Sequence, residues 1–196
     1  MRIAIFKEFP YLYEGNIESE KEYLDVFFNS QKSLILLVFD GDKVVGCSSV
    51  VPLDEESDTI QKPFLDRNID PKDYLYIGEA MIKKPYRNLG ILGKFFVPAY
   101  NNHAKIHGFK HLVFITVNRA HSHPQRPSDY RNLEPIWQHF GYKLMPGMFV
   151  KASWLQSDTL KEEENELGVW IKGDLNPHSS HKNSASKGIL PMVSSN

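Results

Sequence analysis

Apolar and polar residues alternate along much of the chain, and their period predicts a series of short elements. Residues 2–9 alternate between charged and apolar side chains, which predicts a first strand. Residues 17–28 carry early acidic residues, a later apolar stripe and a capping side chain at Asn16, which predicts a helix. Two apolar runs, 34–39 and 44–51, flank a short polar segment and predict an antiparallel hairpin.

The middle of the chain predicts two further strands with a helix between them. A polar stretch over 54–73, expected to be a loop with at most a short helix, leads into a strand over 74–82. Apolar residues recur at helical spacing over 91–108, and Pro98 is expected to kink that helix. Residues 111–117 predict the second strand.

The last part of the chain predicts a loop, a short helix and a final strand. The loop covers 118–132, the helix 133–140 and the strand 148–154. An acidic run and a tail rich in Ser, His, Asn and Pro follow. We therefore expect one domain over 1–155 and a partly mobile C-terminal extension over 156–196.

Composition narrows the class of protein. Of 196 residues, 41% are hydrophobic, which is enough for a folded core, and the net charge of −1 gives no basic surplus for nucleic acid. No apolar run is long enough for a membrane span, and the opening residues turn charged too early for a signal peptide. We expect a cytoplasmic protein. The single cysteine, Cys47, excludes an intramolecular disulfide and is expected to be a buried structural thiol.

The segment after the strand over 74–82 carries the strongest chemical signal. A strand, a short turn and a helix that opens over 87–94 place glycines and unpaired backbone amides where a phosphate can bind. Arg87 and Lys94 add positive charge. Taken alone, glycines at such a turn are more often plain turn residues, so the interpretation depends on the surrounding elements.

The order of elements and residues 79–92 together resemble the GNAT N-acetyltransferases. The segment looks like that family's acetyl-CoA segment, in which the pyrophosphate loop follows Gln/Arg-x-x-Gly-x-Gly/Ala. Arg87 and Gly90 match this pattern, whereas Leu92 stands where Gly or Ala is usual. The similarity spans residues 3–154. It implies an α/β (mixed α+β) fold with a mostly antiparallel central sheet flanked by helices.

The resemblance also implies acetyl-CoA as co-substrate, with no metal. The backbone of Met81 and Ile82 would pair with the pantetheine arm, and the Ile82 N–H would polarise the thioester carbonyl. The residues implied in cofactor binding are Met81, Ile82, Arg87, Asn88, Leu89, Gly90, Ile91, Leu92, Gly93, Lys94 and Asn118.

Two residues are candidates for acid–base catalysis. Glu79 precedes the residue expected to bind the thioester carbonyl, and it is either the base that deprotonates the amine or a salt-bridged structural acid. Trp137 occupies the place where the family often has a Tyr that protonates the thiolate. Tyr130, in the loop before that helix, is a substitute, and protonation by solvent is the alternative.

The acceptor is expected to be a small-molecule or peptide amine. The loop over 121–131 is longer than a plain strand-to-helix connection, and its His121, His123 and Arg126 are typical of substrate recognition. Tyr13 is a further candidate for the acceptor pocket. The sequence leaves the oligomeric state open, a homodimer included.

Two other functions compete with the acetyltransferase hypothesis. A catalytically weak acyl-CoA-binding or regulatory module would keep the fold, and it is favoured by Trp137 and Leu92 at the positions above. A nucleotide hydrolase would also use a phosphate loop. However, Gly93-Lys94-Phe95 lacks the hydroxyl that a P-loop uses to hold its metal ion.

Overall fold

Six strands form one mixed sheet in the computed structural model, which describes residues 1–173 and 175. The strands are β1 (Leu34–Asp40), β2 (Lys43–Pro52), β3 (Tyr74–Ile82), β4 (His111–Val117), β5 (Lys143–Leu155) and β6 (Glu162–Lys172). The helices are α1 (Arg2–Phe6), α2 (Ile17–Asn29), α3 (Asp58–Leu65), α4 (Val97–His107) and α5 (Glu134–His139). The spatial order is β1-β2-β3-β4-β6-β5. The β3–β4 pair is parallel and the other described pairs are antiparallel.

Local signals form several elements as predicted. The Asn16 side chain accepts a hydrogen bond from the Ser19 N–H at 2.9 Å and caps α2. β1 and β2 form the expected hairpin, with Gly41 at φ 57° in its turn. Gly108 ends α4 in the left-handed conformation, with φ 78°.

The sheet separates two apolar clusters. The cluster on the α4 face includes Leu75, Ile77, Phe96, Tyr100, Leu112, Phe114 and Trp170. The cluster on the opposite face joins α2 and α3 to the sheet and includes Phe27, Val51, Phe64, Tyr76, Val113 and Val150. Because successive side chains of a strand point to opposite faces, each central strand contributes to both clusters.

The structure corrects the strand expected over 2–9. Arg2–Phe6 is an α-helix, in which the Ile5 N–H donates to the Met1 C=O at 3.1 Å. The helix brings residues four apart together, and the Arg2 guanidinium lies 4.9 Å from the centre of the Phe6 ring. The alternating charged and apolar residues therefore belong to a helix. Its side chains contact residues far along the chain, and alternation in the sequence does not reveal such contacts.

The structure also corrects the boundary expected after Leu155. Glu162–Lys172 forms β6, which lies between β4 and β5, so the sheet continues well past that position. The acidic half of β6 pairs with β5 beyond the end of β4 and stays exposed, which is why its charges are tolerated. The rest of the expected extension, 174 and 176–196, lies outside the described residues.

Two prolines sit differently from expectation. The polar stretch before β3 contains α3, an eight-residue helix with Pro63 inside it. Pro98 lies in the first turn of α4, after the π-helical segment Leu92–Phe96. A missing N–H costs little in the first turn of an α-helix, so Pro98 is tolerated where the π-helical segment changes to α4.

Candidate active site

β3 and β4 are neighbours, but they pair along one end and separate at the other. Their parallel register covers Tyr74–Tyr76 against His111–Val113. Beyond it, β3 continues beside β2 to Ile82, and β4 continues beside β6 to Val117. The two strands therefore diverge towards their carboxyl ends. Backbone N–H and C=O groups require partners, so this gap suits an extended ligand that carries amides.

A β-bulge at Gly78 sets the direction of Glu79. The β2–β3 register skips one residue between Ile77 and Glu79. Without the bulge, alternation would place these two side chains on the same face. A Cβ at position 78 would lie 2.5 Å from Phe27 Cζ and 2.6 Å from the Tyr23 hydroxyl, so the position requires glycine. The bulge thus turns Glu79 towards α2.

Glu79 is a buried, ion-paired carboxylate. Its Oε2 accepts hydrogen bonds from Arg2 Nη1 at 2.5 Å and from the Tyr23 hydroxyl at 3.1 Å. Its Oε1 accepts one from the Ser49 hydroxyl. Arg2 Nε also donates to Glu20 Oε2 at 2.6 Å. The structure therefore shows the salt-bridged acid, whereas the catalytic base stays a prediction, because a base must first be released by its donors.

The predicted phosphate loop has the backbone shape of a tight turn into a helix. Asn88 and Gly90 adopt left-handed conformations, with φ 64° and 79°. The Lys94 N–H donates to the Gly90 C=O at 2.8 Å and begins the helical hydrogen bonding. The first amides of a helix have no acceptor within it, so the positive end of the helix dipole is directed at this turn.

Two predicted cofactor residues have partners within the protein. Arg87 Nε donates to the Ile82 C=O at 3.0 Å, and its guanidinium lies 3.9 Å from a carboxylate oxygen of Glu8. A Cβ at Gly93 would lie 3.1 Å from Phe140 Cζ, so this glycine lets the helix approach the end of α5. Packing against Phe140 therefore explains the glycine at position 93 without any ligand.

Other predicted cofactor residues have side chains that are taken up by packing. Met81 and Ile91 are buried, and Ile82 and Leu92 pack against the α4-face cluster. Leu89 is exposed. These residues therefore offer a cofactor mainly their backbone groups, as the resemblance implies for Met81 and Ile82.

A cavity of about 490 Å³ lies beside the end of β3, lined by Met1, Leu37, Lys43, Val44, Cys47 and Lys83. Burial, together with the charge of Glu79, raises the pKa of Cys47 to about 11. The thiol is therefore protonated at neutral pH, but it is half-buried in the cavity wall, whereas a buried thiol was expected.

Asn118 lies across the gap from the end of β3. It directly follows β4, its side chain is exposed, and its N–H donates to the Glu166 C=O at 3.1 Å. Because β3 and β4 run parallel, Asn118 and Lys83 leave the sheet at the same edge. Its contact with the cofactor arm stays a prediction.

The loop after Asn118 packs on the segment that follows α1. The Phe9 ring centre lies 4.8 Å from that of Tyr130 and 5.7 Å from that of His123. The Arg126 guanidinium lies 4.7 Å from the centre of the Tyr130 ring, and His121 is exposed. Burial raises the pKa of Tyr130, and Arg126 partly opposes this. These contacts join the loop to Phe9, and none described here joins it to Glu79.

Tyr13 is connected to the Glu79 network. Its backbone forms a bridge with Gln156, and burial, together with the charge of Glu20, raises the pKa of its hydroxyl. Glu20 in turn pairs with Arg2, which pairs with Glu79. The structure thus brings Tyr13 and Glu79 to one network, whereas His123, Arg126 and Tyr130 form a second group around Phe9.

Sequence reasoning missed Arg2, Tyr23 and Arg119. Arg2 and Glu79 are 77 positions apart, so no local pattern links them. Arg119 anchors the segment after α1 by donating to the Pro10 and Tyr11 carbonyls. The available signal was Gly78, because a glycine inside a strand indicates a bulge or a close approach.

The α4 face holds hydroxyl groups near the same part of β3. Tyr100 and Ser48 share a hydrogen bond through their hydroxyls. The Tyr142 hydroxyl is buried and has no hydrogen-bond partner among the described residues, and burial raises its pKa. Trp137 lies on the Phe114 ring, 4.9 Å between ring centres, and so fills an apolar place.

Within residues 1–173 and 175, no group of three or more His, Cys, Asp or Glu side chains is placed to hold a metal ion. In the same part of the chain, no helix has both the length and the hydropathy to cross a bilayer.

The fold is similar to those of known acetyltransferase structures. An acetyltransferase from Streptococcus agalactiae 2603 is 14% identical over 82% of this chain and 79% of that chain, with a TM-score of 0.50. A GNAT family acetyltransferase from Elizabethkingia anophelis, with acetyl-CoA bound, is 15% identical over 84% of this chain and 90% of that chain, with a TM-score of 0.47. No family model matches the sequence, and neither does any curated protein.

At such low identity the similarity establishes the fold. The predicted architecture, a mixed α/β structure with a mostly antiparallel sheet flanked by helices, is confirmed, and it is similar to the fold of the Streptococcus agalactiae acetyltransferase. Fold alone does not determine activity, which must be argued from the site.

Proposed function

We propose that this protein is an acetyl-CoA-dependent N-acetyltransferase. One observation carries the proposal. β3 and β4 separate at their carboxyl ends, and the glycine turn that begins the next helix follows β3 along the chain. The gap offers backbone groups to the amides of a pantetheine arm, and the turn offers amides to a pyrophosphate. Both parts of one cofactor would then be held by neighbouring segments of the chain.

The charges near the turn support a phosphate ligand. Lys83, Lys84, Arg87 and Lys94 are exposed at this end of the sheet. Backbone amides from Asn88 to Gly93 would hold the pyrophosphate, and Asn118 would contact the arm from the β4 side. These residues lie on both sides of the gap, so a single extended ligand could reach all of them.

The proposed chemistry is direct transfer of the acetyl group. The amine nitrogen attacks the thioester carbonyl, the C–S bond breaks, and the amide forms as the thiolate leaves. The Ile82 N–H would stabilise the charge on the carbonyl oxygen. Glu79 would accept the proton from the amine, and Tyr130 would protonate the thiolate, unless solvent does.

The proposed acceptor is a small-molecule or peptide amine. Tyr13 belongs to the Glu79 network, and His121, His123 and Arg126 belong to the loop that packs on Phe9. Together they would form the side of the site that faces the acceptor.

Two glycines provide a matched test of the cofactor site. Gly90 and Gly108 have almost equal φ angles, 79° and 78°, so alanine at either position costs about 1 kcal/mol of folding stability through backbone strain. We expect Gly90→Ala to weaken acetyl-CoA binding about tenfold, as for one lost charged hydrogen bond, and Gly108→Ala to leave it unchanged. Calorimetry measures both. The proposal fails if the wild-type protein binds no acetyl-CoA, or if both variants weaken binding equally.

The second candidate function is an acyl-CoA-binding or regulatory module of the same fold. The ion pair between Arg2 and Glu79 favours it, because Arg2 and Tyr23 already occupy the carboxylate oxygen that a base would need to present to the amine. Consumption of the thioester over a panel of amines separates the two functions. Acetyl-CoA binding without turnover on any amine would support the module.

A further inference from the structure

Two buried carboxylates, Glu20 and Glu79, contact one guanidinium on the α2 face of the sheet, and a third buried carboxylate, Glu56, interacts electrostatically with Glu79 and Arg2. Glu20, Glu56 and Glu79 are each between 5% and 8% exposed. Arg2 donates to Glu20 at 2.6 Å and to Glu79 at 2.5 Å. Its guanidinium carbon lies 3.8 Å from the centre of the Tyr23 ring. The cation is thus held by carboxylates at its edge and by an aromatic ring at its face, the two contacts that guanidinium groups favour.

Glu56 forms no salt bridge with a cation among the described residues. Its Oε2 accepts a hydrogen bond from the Ser57 N–H at 3.1 Å, whereas its buried Oε1 has no partner among the described residues. Burial raises the pKa of Glu56; the Ser57 N–H opposes this, and the charges of Glu79 and Arg2 also act on it. Glu56 is therefore within electrostatic reach of both. The cluster contains three carboxyl groups and one guanidinium. Its charge is therefore not balanced by Arg2 alone, and a second cation would be attracted to it.

Arg2 belongs to α1, a helix whose residues are otherwise little buried. α1 is a five-residue helix in which no residue is buried. Segments with few buried apolar contacts open at low free-energy cost. The contacts of Arg2 in the cluster are therefore a large part of what holds the start of this helix in place.

The cluster is close to the place where the acetyl group would be transferred. Glu79 is on β3, three residues before Ile82, which corresponds to roughly 10 Å along a strand. A cation bound in the cluster could therefore carry an amine towards the end of β3. The charge of Glu20 acts on the Tyr13 hydroxyl, so Tyr13 is near the same cluster.

We propose that the Glu20–Glu56–Glu79 cluster is a binding site for an organic cation, a guanidinium or alkylammonium group of the amine acceptor. Arg2 fills this site until the acceptor displaces it. The contacts of Arg2 with Glu20, Glu79 and Tyr23 support the existence of a cation site. Its assignment to the acceptor rests on the proposed acetyltransferase function.

Binding of methylguanidinium tests the site, with methylurea as its neutral isostere. We expect Arg2→Ala to bind one methylguanidinium about tenfold or more tightly than the wild type does, and to bind no methylurea, because the site selects charge. Adding Glu79→Gln to Arg2→Ala should remove most of this affinity. Calorimetry on the full chain measures each. The proposal is overturned if folded Arg2→Ala binds no methylguanidinium, or binds methylurea equally well.

A second measurement uses the wild type and does not depend on the folding of a variant. Nitrogen-15 NMR follows the Arg2 Nε–H while agmatine, which carries both a guanidinium and a primary amine, is added. We expect the Arg2 signal to lose its ion-paired position as agmatine saturates the site. An unchanged Arg2 signal at saturation would overturn the proposal.

The outcome is distinguishable from that of the proposed function. If agmatine displaces Arg2 but receives no acetyl group, the cation site stands and its assignment to the acceptor fails. If acetyl transfer occurs to neutral amines and no cation binds, the acetyltransferase stands and the cation site fails.

Discussion

The two faces of the central sheet differ in what they bury. On the α4 face, Leu75, Tyr100 and Trp170 contact one another through apolar surface. On the α2 face, the apolar cluster is replaced near the end of β3 by Arg2 and the carboxylates around it. Apolar burial stabilises by about 25 cal/mol per Å². A buried ion pair, in contrast, is often no better than apolar residues of the same volume.

This difference separates the part of the molecule that stabilises the fold from the part for which a ligand is proposed. The α4 face contributes stability at every buried position. The charged cluster contributes little net stability, so a requirement for recognition or catalysis explains it better. The bulge at Gly78 directs the Glu79 side chain to the α2 face instead of the α4 face.

The largest effect is expected from breaking the α4 face. Trp170 is 2% exposed and stacks on Phe114. Trp170→Ala should therefore lower the free energy of unfolding by about 3–5 kcal/mol, measured by urea denaturation. The control is Ile106→Ala, at an exposed position of α4, which should stay within about 0.5 kcal/mol of the wild type. Equal losses in both variants would contradict the assignment of the core to this face.

An intermediate effect is expected from breaking the charged cluster. Arg2→Ala leaves buried carboxylates without their cation and should cost about 3 kcal/mol. Methylguanidinium should restore the melting temperature of this variant but not that of Trp170→Ala. Lys151→Ala, which breaks an exposed pair with Glu164, is the control and should cost less than about 1 kcal/mol. Equal restoration of both buried variants would remove the distinction between the faces.

The smallest effect is expected from Glu56, and it depends on pH. Its pKa is raised above 4.5 in the folded protein, so the folded state binds the proton more tightly than the unfolded state does. Stability is therefore lost as the pH rises from 4.5 through the raised pKa. Glu56→Gln should melt at a higher temperature than the wild type at neutral pH, and the difference should vanish below pH 4.5.

Thermal unfolding of both proteins across this pH range measures the effect. A difference that stays constant with pH would show that Glu56 carries no buried charge. If Glu56→Gln is less stable than the wild type at neutral pH, the charged Glu56 carboxylate is already stabilised by its surroundings in the folded protein.

Predictions succeeded where a few adjacent residues determine the structure. The Asn16 cap, the hairpin turn at Gly41 and the end of α4 at Gly108 formed as expected, because each depends on hydrogen bonds or dihedral angles within one turn. The turn at Gly90 belongs to this group as backbone structure, since its glycine and its place between a strand and a helix are local features. Its ligand stays a prediction.

Predictions failed where the partner of a segment lies far along the chain. The expected strand at the start is α1, and the expected extension contains β6, a strand inside the sheet. The role of Glu79 shows the same limit. Its position on β3 was predictable, but its ion pair with Arg2 depends on a residue 77 positions away.

The sequence by itself determined the order of most elements, the hairpin and the glycine turn, because hydrophobic period and turn chemistry act over a few residues. Only the tertiary structure decided the separation of β3 and β4, the insertion of β6 and the gathering of Arg2, Glu20 and Glu79. These features depend on which distant segments pair and bury one another. That choice is made by the packing of the whole chain and leaves no local pattern.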